Sequence, residues 1–287
     1  MSAIAAALNP QSVTNLVETL HVNGKRSSGY FSIQQYHADR SCVSCSLLKE
    51  ILRSPAHFRA AWNGEVEINP PSPFFGQAMH DFLLNPKLFK QFYEVKPHED
   101  VRIADARQFK LPNSNKIILS QLQAEQLTGI GSAVSSHTLA RKLLGEGRHE
   151  ITHIFKDPKT GIWLKFRPDC LCLNDGICLD IKKTQDASPR PFGRAAFDGG
   201  YDMQAALCLM GLREIYQRDF DFVFLAIEEI KPNAIALYAA PIEMLERGER
   251  RVRAALDTLK ECRDKDFWPA YQPDGGYDFL EWSPLTR

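Results

Sequence analysis

The spacing of apolar residues is helical in the first half of the chain. Apolar positions recur at helical intervals from 41 to 64 and from 117 to 145, and a shorter helix is predicted around 75–86. We expect the first helix to be interrupted at Ser54, because a proline follows it. Gly129 and Gly131 predict a break within the 117–145 segment.

From residue 149 the pattern changes to that of β-strands. Three β-rich runs, separated by turn-forming residues, predict an antiparallel meander; they are 149–157, 161–174 and 176–184. A long helix from about 194 to 217, two more strands and a charged helix from about 241 to 265 follow. This order predicts an α/β sandwich rather than a doubly wound sheet.

The composition is that of a folded protein with no overall attraction to polyanions. The chain has 287 residues, 44% of them hydrophobic, and a formal net charge of zero, so a nucleic acid would need local basic clusters. We expect an N-terminal arm at 1–35 and a single domain at 36–287. This domain would comprise a helical part (36–148), a catalytic sheet with helices (149–265) and a C-terminal tail (266–287).

The cysteines and the N-terminus bear on location. The seven cysteines are an odd number and several lie in apolar segments, which favours a reducing, cytoplasmic setting. The apolar patch in residues 1–20 is too short for a signal peptide or a membrane span, so no membrane partner is expected.

Two acidic residues near strand ends indicate a cation site. We expect Asp169 to end the second β-rich run and Asp180 to lie near the end of the third, so that a turn brings the carboxylates side by side. Adjacent carboxylates repel unless a cation or proton joins them, and Mg²⁺ takes such oxygen ligands. Lys182 shares a strand face with Asp180, where it could orient or deprotonate a water, or neutralise charge on phosphorus. An acid followed two positions later by a lysine also arises by chance, and ordinary strand-end charges in solvent are the alternative.

Several motifs together resemble the PD-(D/E)XK nuclease superfamily. Arg-Pro-Asp at 167–169 and Asp-Ile-Lys at 180–182 look like its core motif. The segment 76–86 is similar to the helix that carries an extra metal-binding histidine in the RecB-like branch, and 201–212 resembles the helix that presents a glutamine. Order and spacing are most similar to the RecE (exonuclease VIII) family of phage and prophage exonucleases, over about residues 36–240.

The resemblance implies a fold and a metal site. The fold would be a restriction-endonuclease-like core, a mixed central sheet flanked by helices, with an N-terminal helical extension. A Mg²⁺ ion, replaceable by Mn²⁺, would be bound by His80, Asp169, Asp180 and the backbone carbonyl of Ile181. Lys182 would position the attacking water; Gln204, with Tyr201 one helical turn away, would hold Lys182 or the scissile phosphate. Glu150 is a further acidic candidate near the metal.

Some of these residues also have ordinary interpretations. Outside this combination of motifs, His80 and Gln204 would be taken as structural positions on amphipathic helices. Cys42 and Cys45 have the spacing of a metal-binding pair, as in relatives with an iron–sulfur cluster. Only Cys262 lies near the C-terminus, however, so no such cluster is expected.

Basic and hydroxyl residues near the site are candidates for DNA binding. Lys183, Arg190 and Arg194 follow the third β-rich run, and Ser44 and Ser46 could contact a 5′-phosphate by analogy with lambda exonuclease. The last helix carries arginines that interleave with glutamates at pairing distance, and we expect them to form a solvated face; they are Arg247, Arg250, Arg251 and Arg253.

The resemblance implies a metal-dependent exodeoxyribonuclease that degrades linear double-stranded DNA from its ends, 5′ to 3′, giving single strands for phage-type recombination by annealing. It also implies a ring-shaped homo-oligomer, a trimer or tetramer, and a single-strand annealing protein as partner, in the cytoplasm of a bacterial host. The alternatives are a DNA-end binding protein that does not cleave and a structure-specific endonuclease on the same fold.

Overall fold

A computed structural model describes residues 27–30, 36, 39–66, 74–95 and 116–276 of the chain. Within these ranges the helices are α1 (Cys45–Arg53), α2 (Pro55–Trp62), α3 (Phe74–Leu84), α4 (Pro86–Phe92), α5 (Gln121–Ser136), α6 (Thr138–Glu146), α7 (Pro189–Asp198), α8 (Tyr201–Tyr216) and α9 (Ile242–Lys265). The strands are β1 (Ser27–Tyr30), β2 (Tyr93–Val95), β3 (Ile117–Leu119), β4 (Arg148–His149), β5 (Ile151–Lys156), β6 (Trp163–Phe166), β7 (Cys170–Cys172), β8 (Ile177–Thr184), β9 (Asp221–Glu228) and β10 (Ile235–Ala239).

A mixed five-stranded sheet forms the centre of the fold, with the strand order β10-β9-β8-β7-β4. Strand β8 is parallel to β9 and antiparallel to β7. A three-stranded antiparallel sheet, β1-β5-β6, and a parallel pair, β2-β3, lie outside it. The predicted mixed central sheet with flanking helices and helices before it is confirmed.

The central sheet separates two apolar cores, because neighbouring residues of a strand face opposite sides. Cys178 of β8 belongs to the core formed with α1, α2, α8 and α9. Leu179 and Ile181 belong to the other core, which includes α3, α5 and α6. A strand buried on both faces reads as a continuous apolar run, as Ile177–Leu179 do at the start of β8, before the polar residues Asp180 and Lys182.

The predicted meander was wrong in its pairing. The second β-rich run, 161–174, divides into β6 and β7, which belong to different sheets. Strand β6 pairs with β5, whereas β7 pairs with β8, so the segment is two hairpins rather than one meander. Alternation predicts a strand but not its partner; the local signal that the run divides is Pro168, which has no N–H to donate to a strand ladder.

The predicted helix interruption at Ser54 is confirmed. Ser54 follows α1, and its side chain accepts a hydrogen bond from His57 N and caps α2, which starts with Pro55. The break predicted at Gly129 and Gly131 was wrong, because α5 runs through both glycines and ends at Ser136. Gly129 instead allows close packing: a Cβ there would lie 2.2 Å from Asn233 Oδ1.

Two further boundaries differ from the prediction. The helix expected at 194–217 is two helices, α7 and α8, separated by Gly199 and Gly200; Gly200 has a φ of 61°, in the left-handed region that favours glycine. Within the predicted arm, Ser27–Tyr30 forms β1, paired with β5. The rest of residues 1–35 and positions 277–287 of the predicted tail lie outside the described residues.

Helix α9 is clamped against α8 by buried ion pairs, so its predicted solvated face was wrong for most of its arginines. Arg247 and Arg251 bind Asp202, at Nη1–Oδ2 and Nη1–Oδ1 distances of 2.5 and 2.8 Å, and the side chain of Asp202 is 1% exposed. Arg253 binds the buried Asp157. Only Arg250 forms the expected exposed pair, with Glu246. The helices also meet closely at Gly248, where a Cβ would lie 2.1 Å from the backbone oxygen of Asp202.

All seven cysteines lie within the described residues and are free thiols. Among the described helices, none has both the length and the apolar character needed to cross a bilayer.

Replacing Asp202 with asparagine should destabilise the protein. The change leaves Arg247 and Arg251 without their counter-charge; because each arginine side chain is 33% exposed, solvent screens part of the loss. We expect the free energy of unfolding to fall by about 2 kcal/mol in urea denaturation. The control Glu246→Gln removes the exposed pair with Arg250 and should change stability by less than about 0.5 kcal/mol. Equal effects of the two substitutions would contradict the clamp.

Stability should depend on pH through His153 of β5, which is 1% exposed and contacts Ile151 O and Tyr216 Oη. Burial lowers the pKa of His153 from 6.5 to about 4. The unfolded chain therefore takes up a proton below pH 6.5 that the folded chain excludes until about pH 4, and unfolding becomes easier by about 3 kcal/mol across this window.

The measurement is urea denaturation of wild type and His153→Gln at several pH values between 7 and 4. The stability difference between the two proteins should shrink as the pH falls, because the variant lacks the histidine contribution. A constant difference would contradict the assignment.

Candidate active site

Strand β8 carries the central residues of the site. Because side chains alternate along it, Asp180 and Lys182 face the α8 side, while Ile181, 1% exposed, is buried in the opposite core. The sequence predicted this division. Lys183 points the other way and pairs with Glu229 at 2.8 Å, so it lies off the Asp180 face.

Asp169 stands opposite Asp180 across the β7–β8 pair. Cys170 pairs with Leu179, and continuing this register by one residue brings the two aspartates face to face. Ile181 N donates a hydrogen bond to Asp169 Oδ2 at 2.7 Å. The predicted juxtaposition of carboxylates is therefore present, although Asp169 precedes β7 instead of ending a strand, and Asp180 lies in the middle of β8.

Asp180, Lys182 and Gln204 contact one another in a triangle. Lys182 Nζ lies 2.6 Å from Asp180 Oδ2 and donates to Gln204 Oε1 at 3.1 Å. Gln204 Nε2 donates to Asp180 Oδ1 at 2.6 Å. One turn earlier on α8, the ring of Tyr201 lies under the ammonium group, 4.7 Å from Nζ to the ring centroid. The resemblance predicted that Gln204 holds either Lys182 or the scissile phosphate, and the contact with Lys182 is present.

Burial and the charges of neighbouring groups determine the protonation states of Asp180 and Lys182. Burial raises the pKa of Asp180, and the negative Asp169 raises it further, against the opposing effect of Lys182. Burial favours the neutral amine of Lys182, but the Asp180 and Asp169 carboxylates outweigh it, and the pKa of Lys182 is raised. In this arrangement Lys182 is an ammonium group near neutral pH, suited to holding or neutralising negative charge rather than to taking a proton.

Helix α3 adds an imidazole, and Glu150, which lies between β4 and β5, adds a third carboxylate. His80 Nδ1 lies 3.6 Å from Asp169 Oδ1. Glu150 donates its backbone N–H to Asp169 O at 3.1 Å, and its carboxylate lies 3.6 Å from Arg167 Nη2. Burial raises the pKa of Glu150; Arg167 opposes this, and Asp169 adds to it. His80 and Glu150 therefore both lie beside Asp169.

The chemical types of the candidate ligands suit a divalent cation. Asp180 Oδ2 is buried and forms an ion pair with the Lys182 ammonium at 2.6 Å. Two carboxylates and a neighbouring imidazole are hard and borderline ligands suited to Mg²⁺ or Mn²⁺. Within the described residues, however, no group of three or more His, Cys, Asp or Glu side chains already has an arrangement that could hold a metal ion. Binding by His80, Asp169 and Asp180 would therefore require side-chain movement around Lys182.

The other predicted contact residues divide into two groups. Arg190 and Arg194 are exposed on α7. Ser44 is 9% exposed and caps α1 by accepting a hydrogen bond from Leu47 N, while Ser46 is partly exposed. The structure thus gives the Ser44 hydroxyl a capping role, and phosphate contact by either serine stays a prediction.

Sequence reasoning missed two aspartates that support the site. Asp81, next to His80, accepts hydrogen bonds from Tyr93 Oη at 2.7 Å and Gln77 Nε2 at 3.1 Å. Asp202, next to Tyr201, anchors α8 to α9. An acidic residue in the first turn of a helix was a usable signal for Asp202, because it suits the helix dipole. Nothing local indicated the partners of Asp81.

Fold and site together define a domain of the PD-(D/E)XK type, with Asp169 and the Asp180-Ile181-Lys182 triplet on adjacent strands of a mixed sheet. Residues 44–277 match the family described as PDDEXK-like domain of unknown function (DUF3799), and the chain belongs to that family. The predicted superfamily and its core fold are confirmed.

One solved structure shares the fold over most of the chain. A crystal structure described as a "Putative exonuclease" from Eubacterium rectale matches 90% of this chain and 97% of that chain, with a TM-score of 0.61 and 12% sequence identity. A phage related exonuclease from Haemophilus somnus is 12% identical over 79% of this chain and 96% of that one, with a TM-score of only 0.36. No curated protein matches the chain.

Metal binding at the site should be measurable without activity. We expect Mn²⁺ to raise the melting temperature of the wild type, because a ligand present at roughly 100 times its Kd stabilises the folded state by about 2.7 kcal/mol. Asp180→Asn and Asp169→Asn should each abolish the increase, and His80→Ala should reduce it. Asp175→Asn is the control, because Asp175 lies in the β7–β8 turn and pairs with Lys142. An undiminished response in Asp180→Asn would place the metal elsewhere.

Proposed function

We propose that this protein is a divalent-metal-dependent deoxyribonuclease that degrades linear double-stranded DNA from its ends. The observation that carries the proposal is the contact of Lys182 with both Asp180 and Gln204, beside Asp169. Membership of a PDDEXK-like family supports it, as does the fold shared with a protein described as an exonuclease.

Each side chain has a task suited to phosphodiester hydrolysis. The Lys182 ammonium would hold the attacking water and offset the negative charge that grows on the phosphate. Gln204 would keep the amine in place, since its amide bridges Lys182 and Asp180. The ring of Tyr201 would restrict the position of the Lys182 ammonium through a cation–π contact.

Asp169, Asp180 and His80, with the carbonyl of Ile181, would bind the metal ion, which we propose to be Mg²⁺ with Mn²⁺ as a substitute. A bound divalent ion neutralises phosphate charge and makes a coordinated water more acidic. Glu150 would support the site through its backbone bond to Asp169 O.

The resemblance to the RecE family extends the proposal. It favours 5′ to 3′ polarity, a ring-shaped trimer or tetramer, and supply of single strands to an annealing protein in the cytoplasm of a bacterial host that carries the phage or prophage. Light scattering coupled to size-exclusion chromatography tests the ring directly, and a monomer at working concentration would remove that part of the proposal.

A DNA degradation assay tests the activity. Purified protein with Mg²⁺ is incubated with linear duplex and with covalently closed circular duplex, and then with linear DNA labelled at either the 5′ or the 3′ end. Degradation of linear DNA alone supports an exonuclease, and early release of the 5′ label supports the proposed polarity. Cutting of circles would indicate an endonuclease instead, and binding without cleavage would indicate an end-binding protein.

Lys182 and Lys183 form a matched pair for testing the site, because they are neighbours on β8 that face opposite sides. Lys182→Met should lower the rate of linear DNA degradation by at least about 100-fold, because it removes the group that stabilises phosphate charge. Lys183→Met removes a pair with Glu229 and should degrade DNA much as wild type does at saturating substrate. Similar losses in both variants would contradict the assignment of Lys182 to the reaction centre.

A further inference from the structure

The outer face of α7 is basic and aromatic, and we call the residues Arg190, Arg194 and Phe197 the α7 face. Their spacing of four and three places them on one side of the helix. The opposite side is buried through Phe192 and Ala196. All three residues of the α7 face are exposed.

The charge of this face is not neutralised by neighbours. Among the residues that the structure describes, neither Arg190 nor Arg194 forms an ion pair with an acidic side chain. Asp198 is the single acidic residue of α7 and lies at its last position. Two cations on one exposed face give the α7 face an excess of positive charge, which complements a phosphate backbone.

The ring of Phe197 lies outside the core that α7 packs against. It is 61% exposed, although α7 buries other apolar residues. The guanidinium carbon of Arg247 lies 4.1 Å from the centroid of its ring, and Arg247 is held in place by Asp202. The aromatic ring is therefore oriented by a cation while much of its surface remains accessible, as in a platform for a nucleobase.

Helix α7 packs against the candidate active site through its buried side, and the α7 face ends at Phe197, close in the chain to Tyr201. Phe192, on the buried side of α7, lies 6.5 Å from the ring of Tyr201, measured between centroids, and that ring contacts the Lys182 ammonium. Phe197 is separated from Tyr201 by only three residues, two of them the glycines between α7 and α8. Lys49 Nζ donates to the carbonyl of Gly199 at 2.8 Å, which places a further cation at the same junction.

We propose that the α7 face binds an unpaired DNA strand next to the site, with a base stacked on Phe197 and phosphates on Arg190 and Arg194. This inference rests on the proposed nuclease function, because it assigns the form of DNA that the same site receives. Bases inside a duplex are stacked on one another and cannot stack on an aromatic side chain of a protein. A frayed or single-stranded end can, and stacking does not depend on base identity.

Fluorescence anisotropy in EDTA measures binding without cleavage. The probes are a labelled oligo(dT) strand and a blunt duplex of equal length. We expect Phe197→Ala to weaken binding of the single strand about 10-fold and binding of the blunt duplex far less. Phe197→Trp should bind the single strand at least as well as wild type.

The arginines give a second readout. Because phosphate contacts release counterions, Arg190→Gln with Arg194→Gln should reduce the slope of log affinity against log salt for the single strand by about 1.4. Phe197→Ala should leave this slope unchanged, because a ring carries no charge.

The matched control is Phe267→Ala. Phe267 is 56% exposed, and it lies beyond the far end of α9, roughly 30 Å along the helix from Arg247. This variant should bind both probes as wild type does. The inference is overturned if Phe197→Ala binds the single strand normally, or if it weakens both probes equally. If wild type fails to degrade DNA with Mg²⁺ yet shows the Phe197-dependent binding, the proposed function is wrong while the binding surface stands.

Discussion

The site depends on holding two like charges together at the β7–β8 pair. Asp169 and Asp180 face each other there and would repel if both were left bare. The chain counters this repulsion with the Ile181 N–H on one carboxylate, and with the Lys182 ammonium and the Gln204 amide on the other. These groups come from the sheet and from α8, so the arrangement exists only when both are packed together.

Two cores hold this arrangement from opposite sides. Even-numbered positions of β8 face α8, while Leu179 and Ile181 anchor the strand in the core of α3, α5 and α6. Helix α3 brings His80 to Asp169 from that second side. The two layers meet at one strand, and the polar groups gather where that strand exchanges hydrogen bonds with β7.

The parts of the fold that follow local rules were predictable, and those that depend on distant partners were not. Alternation placed Asp180 and Lys182 together and Ile181 in the core, and a proline after Ser54 marked the helix break. The assignment of β6 and β7 to different sheets depends on pairing, which the alternation of a single strand does not encode. The inward arginines of α9 were missed because Asp202 and Asp157 are 45 or more residues distant in sequence, whereas glutamates one turn away offered plausible local partners.

Gly248 allows the last helix, α9, to pack very closely against α8. A single hydrogen at this position separates α9 from the Asp202 carbonyl, since even a methyl group would overlap it. The backbones of the two helices are thus in close contact at the turn of α8 that carries Tyr201 and Gln204. Gly248, far along the chain from the Asp-Ile-Lys triplet, therefore lets α9 pack at close range against the turn of α8 that carries Tyr201 and Gln204.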